Sequence, residues 1–287
     1  MIKILLPLIL FFTTFIFAQS TNKSQIIFKP SYEHLKGKVK TVEISIYNAS
    51  EKLGDAVKSN LEKKYIETYN LEGNKIEETH FSSNNLVAEK FTFEYDKKGN
   101  LLSQSKLNAN GNLYEKLVYK YDEKGFLVEM IDYNVDTLVD GKTIYINDQN
   151  GNIVEEKDLN GNDVLFDRYT YKYDEKGNLI EENDYNGAGI LNEHYTYKYD
   201  DKGNLIENGI YNSANILFDK FSYSYDDKGN IIEESDHNAD GIVFRKNSYK
   251  YQYDANNNWT KRIKFNIINE KHKSADSIEE IKIEYFQ

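Results

Sequence analysis

One motif returns along this chain at a fixed interval. Tyr-Asp-x-x-Gly-Asn, complete at Tyr173 to Asn178, recurs with its first residue at Tyr69, Tyr95, Tyr121, Asn147, Tyr173, Tyr199 and Tyr225, always 26 residues apart, and again at Tyr253 after a step of 28. A period of that length holds one supersecondary unit and no independent core. Neighbouring units must therefore stack to bury anything.

Each unit carries two turn signals. The first is Asp-x-x-Gly, at Asp96 to Gly99, Asp122 to Gly125, Asp174 to Gly177, Asp200 to Gly203 and Asp226 to Gly229. Asp at the first position caps the turn amides and Gly at the fourth adopts positive φ without strain, the pattern of a type I turn with a glycine bulge. The second signal starts at Ser82, Asn108, Asn134, Asn160, Asn186, Asn212 and Asn238. Its fourth positions include Thr137 and Asp163, which suit a left-handed residue less well, so those two turns are expected to be built differently. Between turns lie segments of about 8 and 10 residues rich in Tyr, Phe and Ile, which predict strands. The expected fold is all-β: tandem antiparallel hairpins in one long coiled meander, rolled into a spiral shell or a wide or flattened barrel.

Turn geometry also predicts a register. If Asp174 faces Asn178 and Asn186 faces Ile190, odd-numbered strand residues share one face throughout, and the register slips by two residues per hairpin. That slip tilts strands by roughly 35°, which disfavours a flat ribbon. The odd face collects Phe93, Tyr119, Tyr171 and Leu179 and is the expected core. The even face holds Lys120, Thr170, Lys172, Glu182 and Glu234.

The ends differ from the repeats. Met1 to Lys3 precede an apolar run, Ile4 to Phe17, of about 14 residues, short of the roughly 20 that a spanning helix needs. Residues 1–18 are expected to be a signal peptide, which places the protein in the periplasm, at the cell surface or outside the cell. No other segment suits a transmembrane helix. Residues 19–68 are expected to form a lead-in and capping strands, with a strand over Lys38 to Tyr47, a loop or helical turn over Ala49 to Lys58, and a strand over Leu61 to Tyr69. Residues 69–257 form the hairpin repeats. Residues 258–287 form a capping hairpin whose Lys261, Arg262 and Lys264 discourage edge pairing, with Ser277 to Phe286 as an edge strand.

Cysteine is absent, so there is no disulfide or thiol chemistry. The net charge of −11, without a basic stripe, excludes a nucleic-acid binder. Five scattered histidines offer no metal-ligand spacing and read as surface residues. No cofactor motif appears, and the oligomeric state is open.

At Tyr171 to Leu179 (YKYDEKGNL) the chain resembles the YD repeats, or RHS repeats, of bacterial cell-surface and toxin-complex proteins, over about Tyr69 to Asn258. The resemblance implies a sheet that spirals into a hollow shell, sometimes around a polypeptide, and a suggested affinity for carbohydrate. This chain has mostly Asn after the turn glycine (Asn100, Asn152, Asn178, Asn204, Asn230) where that family usually has Arg, and it is far shorter than a cocoon.

On the predicted register Glu129, Glu155, Glu181, Glu207 and Glu233 lie directly opposite Tyr119, Tyr145, Tyr171, Tyr197 and Tyr223. Aromatic faces beside carboxylates suit sugar rings, so this ladder is the candidate ligand site, for a glycan or an extended polypeptide. The alternative is a half-buried ladder whose tyrosine hydroxyls satisfy the glutamates with no ligand. A repeating row gives no acid an environment distinct from its neighbours, so glycosidase chemistry is not expected. The expected function is a non-enzymatic binding or structural module. The runner-up is a shell-like partner of a secreted polypeptide, and a glycan hydrolase stands third.

Overall fold

The computed structural model describes residues 35–269 and 272–287. The expected signal peptide and most of the lead-in lie outside them. Eighteen antiparallel strands form a single sheet. β1 (Val39–Lys52) and β2 (Asp55–Tyr69) make a long hairpin, β3 (Lys75–Phe81) to β16 (Val243–Tyr253) come from the repeats, and β17 (Trp259–Asn269) and β18 (His272–Tyr285) make a second long hairpin. β1 pairs with β2 on one side and β18 on the other, so the sheet closes into a barrel.

Closure corrects the reading of the chain ends. β18 is no edge strand, and Lys261, Arg262 and Lys264 face Glu280, Glu279 and Asp276 within the ring instead of guarding a free edge. Ala49 to Lys58 is neither loop nor helix. Ala49 pairs with Lys58 and Lys52 with Asp55, and the chain reverses at Leu53 and Gly54, both at positive φ.

Every turn has the same construction. Gly177 N–H donates to the Asp174 carbonyl and Asp174 N–H to the Asn178 carbonyl, while Asp174 Oδ1 accepts the Asn178 amide. The Asn side chain then closes the turn, Asn178 Nδ2 donating to Asp174 Oδ2 at 2.8 Å, with the same bond at Asn100, Asn152 and Asn204. That is the role of the Asn that follows the turn glycine in these repeats. The second set of turns is built alike. Thr137 and Asp163 take the left-handed conformation after all, with φ of 61° and 64°.

The register departs from the sequence reading by one residue. Tyr173 pairs with Leu179 as the turn dictates, but Tyr171 pairs with Glu182 and Lys172 with Glu181, because a second bulge sits at Ile180. Each repeat turn is followed by such a shift. The odd face is therefore not continuous. The face carrying Tyr169, Tyr171 and Tyr173 continues through Leu179 and then through the even residues Glu182 and Asp184. The slip of two residues per hairpin survives, since the turns at both ends carry the same extra residue.

The Tyr face is the inside. Phe93, Leu101, Tyr119, Leu127 and Tyr145 form a buried cluster there, whereas the side chains of Lys120, Lys172 and Lys198 on the other face are 53 to 68% exposed. In a closed single sheet the crowded face is the concave one. Close backbone packing joins ladder neighbours only, apart from β18 and β2, which flank β1. A ring of eighteen strands is too wide for side chains to fill and leaves a lumen.

The two rims are unlike. The Asp-turn rim carries Asp-Glu-Lys-Gly and its variants. The opposite rim has turns mostly of Asn, Ser, Ala and Gly, with Asp136, Asp163 and Asp240 as their charges, and all but the one ending at Asn112 end on an aliphatic residue, from Leu86 to Ile242. The tip of the β1–β2 hairpin stands at this second rim. Past Lys64 it extends beyond β3, and beside it β18 continues past Ser277 to His272, with Ala275 N–H donating to the Glu51 carboxylate at 3.1 Å, so that the two long hairpins form one lip.

Candidate functional site

The inner wall is built from three kinds of polar contact, each with its own sequence cause. The tyrosine nearest the Asp-turn staples consecutive repeats. Tyr95, Tyr121, Tyr173, Tyr225 and Tyr251 each donate their hydroxyl to a backbone carbonyl 20 residues earlier, at 2.7 to 2.8 Å. Tyr173 reaches Ile153 because ladder pairing between those strands stops at Thr170 and Glu155, short of the bulge. At Asn147, where the repeat lacks this Tyr, the amide Nδ2 reaches the Leu127 carbonyl instead. Because of the two-residue insertion, Tyr251 and not Tyr253 makes this bond in the last repeat.

The middle tyrosine reaches an acid or amide 15 residues earlier. Tyr171 donates to Glu156 at 3.1 Å, Tyr197 to Glu182 at 2.8 Å and Tyr223 to Asn208 at 3.1 Å. Burial drives the Glu156 carboxyl up to about 7, the Asp158 charge adds to it, and the Tyr171 hydrogen bond offsets only part. Glu182 is raised by burial in the same way. The tyrosine hydroxyls rise too, burial first and the adjacent glutamate second.

Nearer the Asn-turn rim lies a belt of carboxylates. Asp158 pairs with Asp167 and Asp184 with Glu193, while Asp132 and Asp219 extend the belt on either side. Burial raises Asp132, Asp158, Asp184 and Asp219, and in each case a neighbouring carboxylate adds to the rise. Among the described residues no ion pair reaches these six acids. The inward cations stand on the flanking walls, where Lys106 is taken by Glu89 and Arg245 by Asp236. Roughly half the circumference is thus an acidic wall without its own counter-charge.

The wall near the closure is different. Lys75, 5% exposed, lies between Glu67 at 3.3 Å and Glu78 at 2.5 Å, and the Tyr69 hydroxyl donates to Glu67 at 2.5 Å. Glu78 also meets His80 at 2.5 Å. Burial alone would raise the Glu78 carboxyl, but His80 and Lys75 outweigh it and hold it down at about 2. His80 is therefore no isolated surface histidine. This cluster is compensated, and it joins β2 to β3 beside the closure of the ring.

Tyr119, Tyr145, Tyr171, Tyr197 and Tyr223 stand on the inner wall as the ladder requires. Their expected partners do not. Glu129, Glu155, Glu181, Glu207 and Glu233 point outward, where Lys172 meets Glu181 and Lys198 meets Glu207 at 2.7 Å, Lys246 meets Glu233 at 2.7 Å, Lys120 meets Glu129, and Arg168 meets Glu155 at 3.6 Å. The acids that face the tyrosines are the next residues along, Glu156, Glu182 and Glu234. The missed signal was the pair of adjacent apolar residues after each Asp-turn, such as Leu179-Ile180 and Leu205-Ile206. Two apolar residues in succession within an alternating strand mark a bulge.

No protein-family model matches the chain, and no curated protein matches it. Among solved structures, a porin-like protein of Bacteroides uniformis is 10% identical with a TM-score of 0.44, covering 86% of this chain and 96% of that one. A porin-like protein of Bacteroides vulgatus is 11% identical with a TM-score of 0.40, covering 71% and 95%. The toxin-complex assembly TcdB2-TccC3 is 13% identical with a TM-score of 0.29, over 82% of this chain but 17% of that one. At these values the likenesses carry no argument about function. The chain is an all-β repeat barrel, and its own inner wall must supply the functional reading.

Proposed function

We infer that the protein is an exported, non-enzymatic binding barrel that takes an extended cationic ligand, a basic segment of polypeptide, into its lumen. The observation that supports this is the acidic belt from Asp132 to Asp219, where burial and neighbouring carboxylates raise Asp132, Asp158, Asp184 and Asp219 and where, among the described residues, no ion pair supplies a cation. A bound cation relieves both penalties at once, so the wall favours positive charge before any specific contact forms. Export is supported by the apolar run from Ile4 to Phe17. A glycan is the second reading, since the inner tyrosines stand beside Glu156, Glu182 and Glu234 in place of the acids expected there.

Fluorescence anisotropy with a labelled, unstructured Lys-rich peptide tests the reading. Binding should weaken steeply with salt and fall about tenfold or more in the Asp158→Asn, Asp184→Asn double variant. Binding that ignores these substitutions, or no binding at low salt by folded protein, sinks it. Saturable binding on a glycan array in place of the peptide would return the case to carbohydrate.

A further inference from the structure

The Asn-turn rim carries an apolar collar that the acidic belt does not explain. Leu86, Leu138, Val164, Ile190, Ile216 and Ile242 occupy the same turn position in six repeats, and each is 57 to 64% exposed. Next to them Tyr114, Phe166, Phe218 and Phe244 are 49 to 64% exposed at the bulge that follows each turn. Residues at this bulge turn toward the lumen. Asn192, the equivalent position in another repeat, donates to Asp184, and Lys106 lies over the Tyr114 ring at 5.5 Å. Successive turns are two strands apart, so the collar repeats about every 10 Å around the mouth. Monomeric proteins rarely leave so much contiguous apolar surface uncovered.

A second observation marks the same end. Leu53, at the tip of the β1–β2 lip, is 99% exposed and sits at φ 53°. A γ-branched side chain there accepts both backbone strain and full hydration, at a position where Asn or Gly would suffer neither. The opposite rim has one exposed apolar tip, Leu71 at 67%, and its other turns are polar or charged at most positions.

We propose that the Asn-turn end is the entrance of the barrel and that its collar docks the apolar side chains of an unfolded polypeptide whose basic residues reach the acidic belt just inside. This rests on the lumen reading above and narrows the ligand from any polycation to a chain that mixes basic and apolar residues. Charge placement favours that occupant. The collar turns hold no Lys or Arg and only Asp136, Asp163 and Asp240 as charges, and Asp184 and Asp219 lie on the inner wall next to the strand ends that carry Asn192 and Phe218. A flat bilayer fits less well, because the lip with Glu51, Lys52 and Asp55 stands beyond the collar and would meet the lipid first. The same lip holds a second barrel away from rim-to-rim contact.

The test uses two labelled peptides of equal length and charge, repeats of Gly-Lys-Phe-Ser and of Gly-Lys-Ser-Ser, against the chain from residue 19 onward. The wild-type barrel should bind the Phe-containing peptide at least about tenfold more tightly. The triple variant Ile190→Ser, Ile216→Ser, Phe218→Ser should bring the two affinities together. These side chains are exposed, so an unchanged melting curve confirms that the variant is folded, and Leu53→Asn provides a second variant that cannot disturb the ring. Equal affinities in the wild type, or a preference that the triple variant keeps, overturn the collar and leave the acidic belt standing. Failure to bind either peptide overturns the belt and the collar together. A wild-type dimer in light scattering that the triple variant abolishes, or vesicle binding lost in it, reassigns the collar to a second copy or to lipid and overturns the proposal.

Discussion

The hydroxyl of Tyr171 donates to Glu156 Oε2 at 3.1 Å, linking two residues 15 apart on neighbouring strands of the inner wall. The same offset joins Tyr197 to Glu182. The contact is a product of the repeat: a period of 26 and a slip of two residues per hairpin bring the middle tyrosine of one unit beside the inward acid of the unit before. Tyr171→Phe deletes the donor and keeps the ring. It should cost about 1–2 kcal/mol at pH 8, where Glu156 is ionised, and less at pH 5, as read by urea unfolding at both pH values. Equal losses at the two pH values would show that the bond does not serve the carboxylate.

Glu156 has a folded-state pKa of about 7 against an ordinary 4.5. The folded state therefore holds its proton more tightly than the unfolded chain does. Stability associated with this group is fully present below about pH 4.5 and is lost as pH rises through 7. Glu156→Gln should stabilise the barrel at pH 8, on the order of 2–3 kcal/mol, and change little at pH 4. The affinity for a Lys-rich peptide should rise over the same window as the wall acquires its charge. A variant no more stable than wild type at pH 8 would refute the assignment.

Glu78 behaves in the opposite sense. Its carboxyl is held at about 2 by His80 and Lys75 in spite of burial. Its contribution is present above about pH 4.5 and is lost as pH falls toward 2. Glu78→Gln should cost about 2–3 kcal/mol at pH 7 and little at pH 2.5, with Lys75 left short of one partner. Acid unfolding of both proteins followed by circular dichroism measures the difference.

The tyrosine staples are separate bonds of one kind. Tyr121→Phe and Tyr173→Phe each remove a hydroxyl from a part-buried backbone hydrogen bond, to the carbonyl of Leu101 and to that of Ile153. Each should cost about 1 kcal/mol, and the double variant should cost the sum, because the two sites share no partner. Marked non-additivity in denaturant unfolding would mean that the repeats communicate through more than their ladders.

Turn chemistry predicts gains as well as losses. Thr137 is β-branched at φ 61° and Leu53 is fully exposed at φ 53°. Thr137→Gly and Leu53→Asn should each stabilise by about 0.5–1 kcal/mol. Gly177→Ala, at φ 81°, should destabilise by about 1 kcal/mol. Melting temperatures that move the other way would place the strain elsewhere.

How much of this was legible beforehand depends on the range over which each feature is decided. The hairpin period, the turn type at Asp174 to Gly177 and the slip per hairpin follow from local chemistry, because a glycine at positive φ and an Asp cap act within five residues. The shared face of Tyr171 and Tyr173 was equally readable. The acid that faces Tyr171 was not, since one bulge residue at Ile180 exchanges Glu181 for Glu182 on the inner wall. A side-chain period of two turns a one-residue error into the wrong face. Closure lay further still from the sequence. Whether a coiled meander spirals open or joins its ends depends on whether β1 and β18 meet in register after a full circuit of accumulated twist. The sequence by itself determined the repeat, its turns and its aromatic face, and only the tertiary structure decided that this face encloses a lumen, because local preferences set each strand's tilt while closure sums all eighteen.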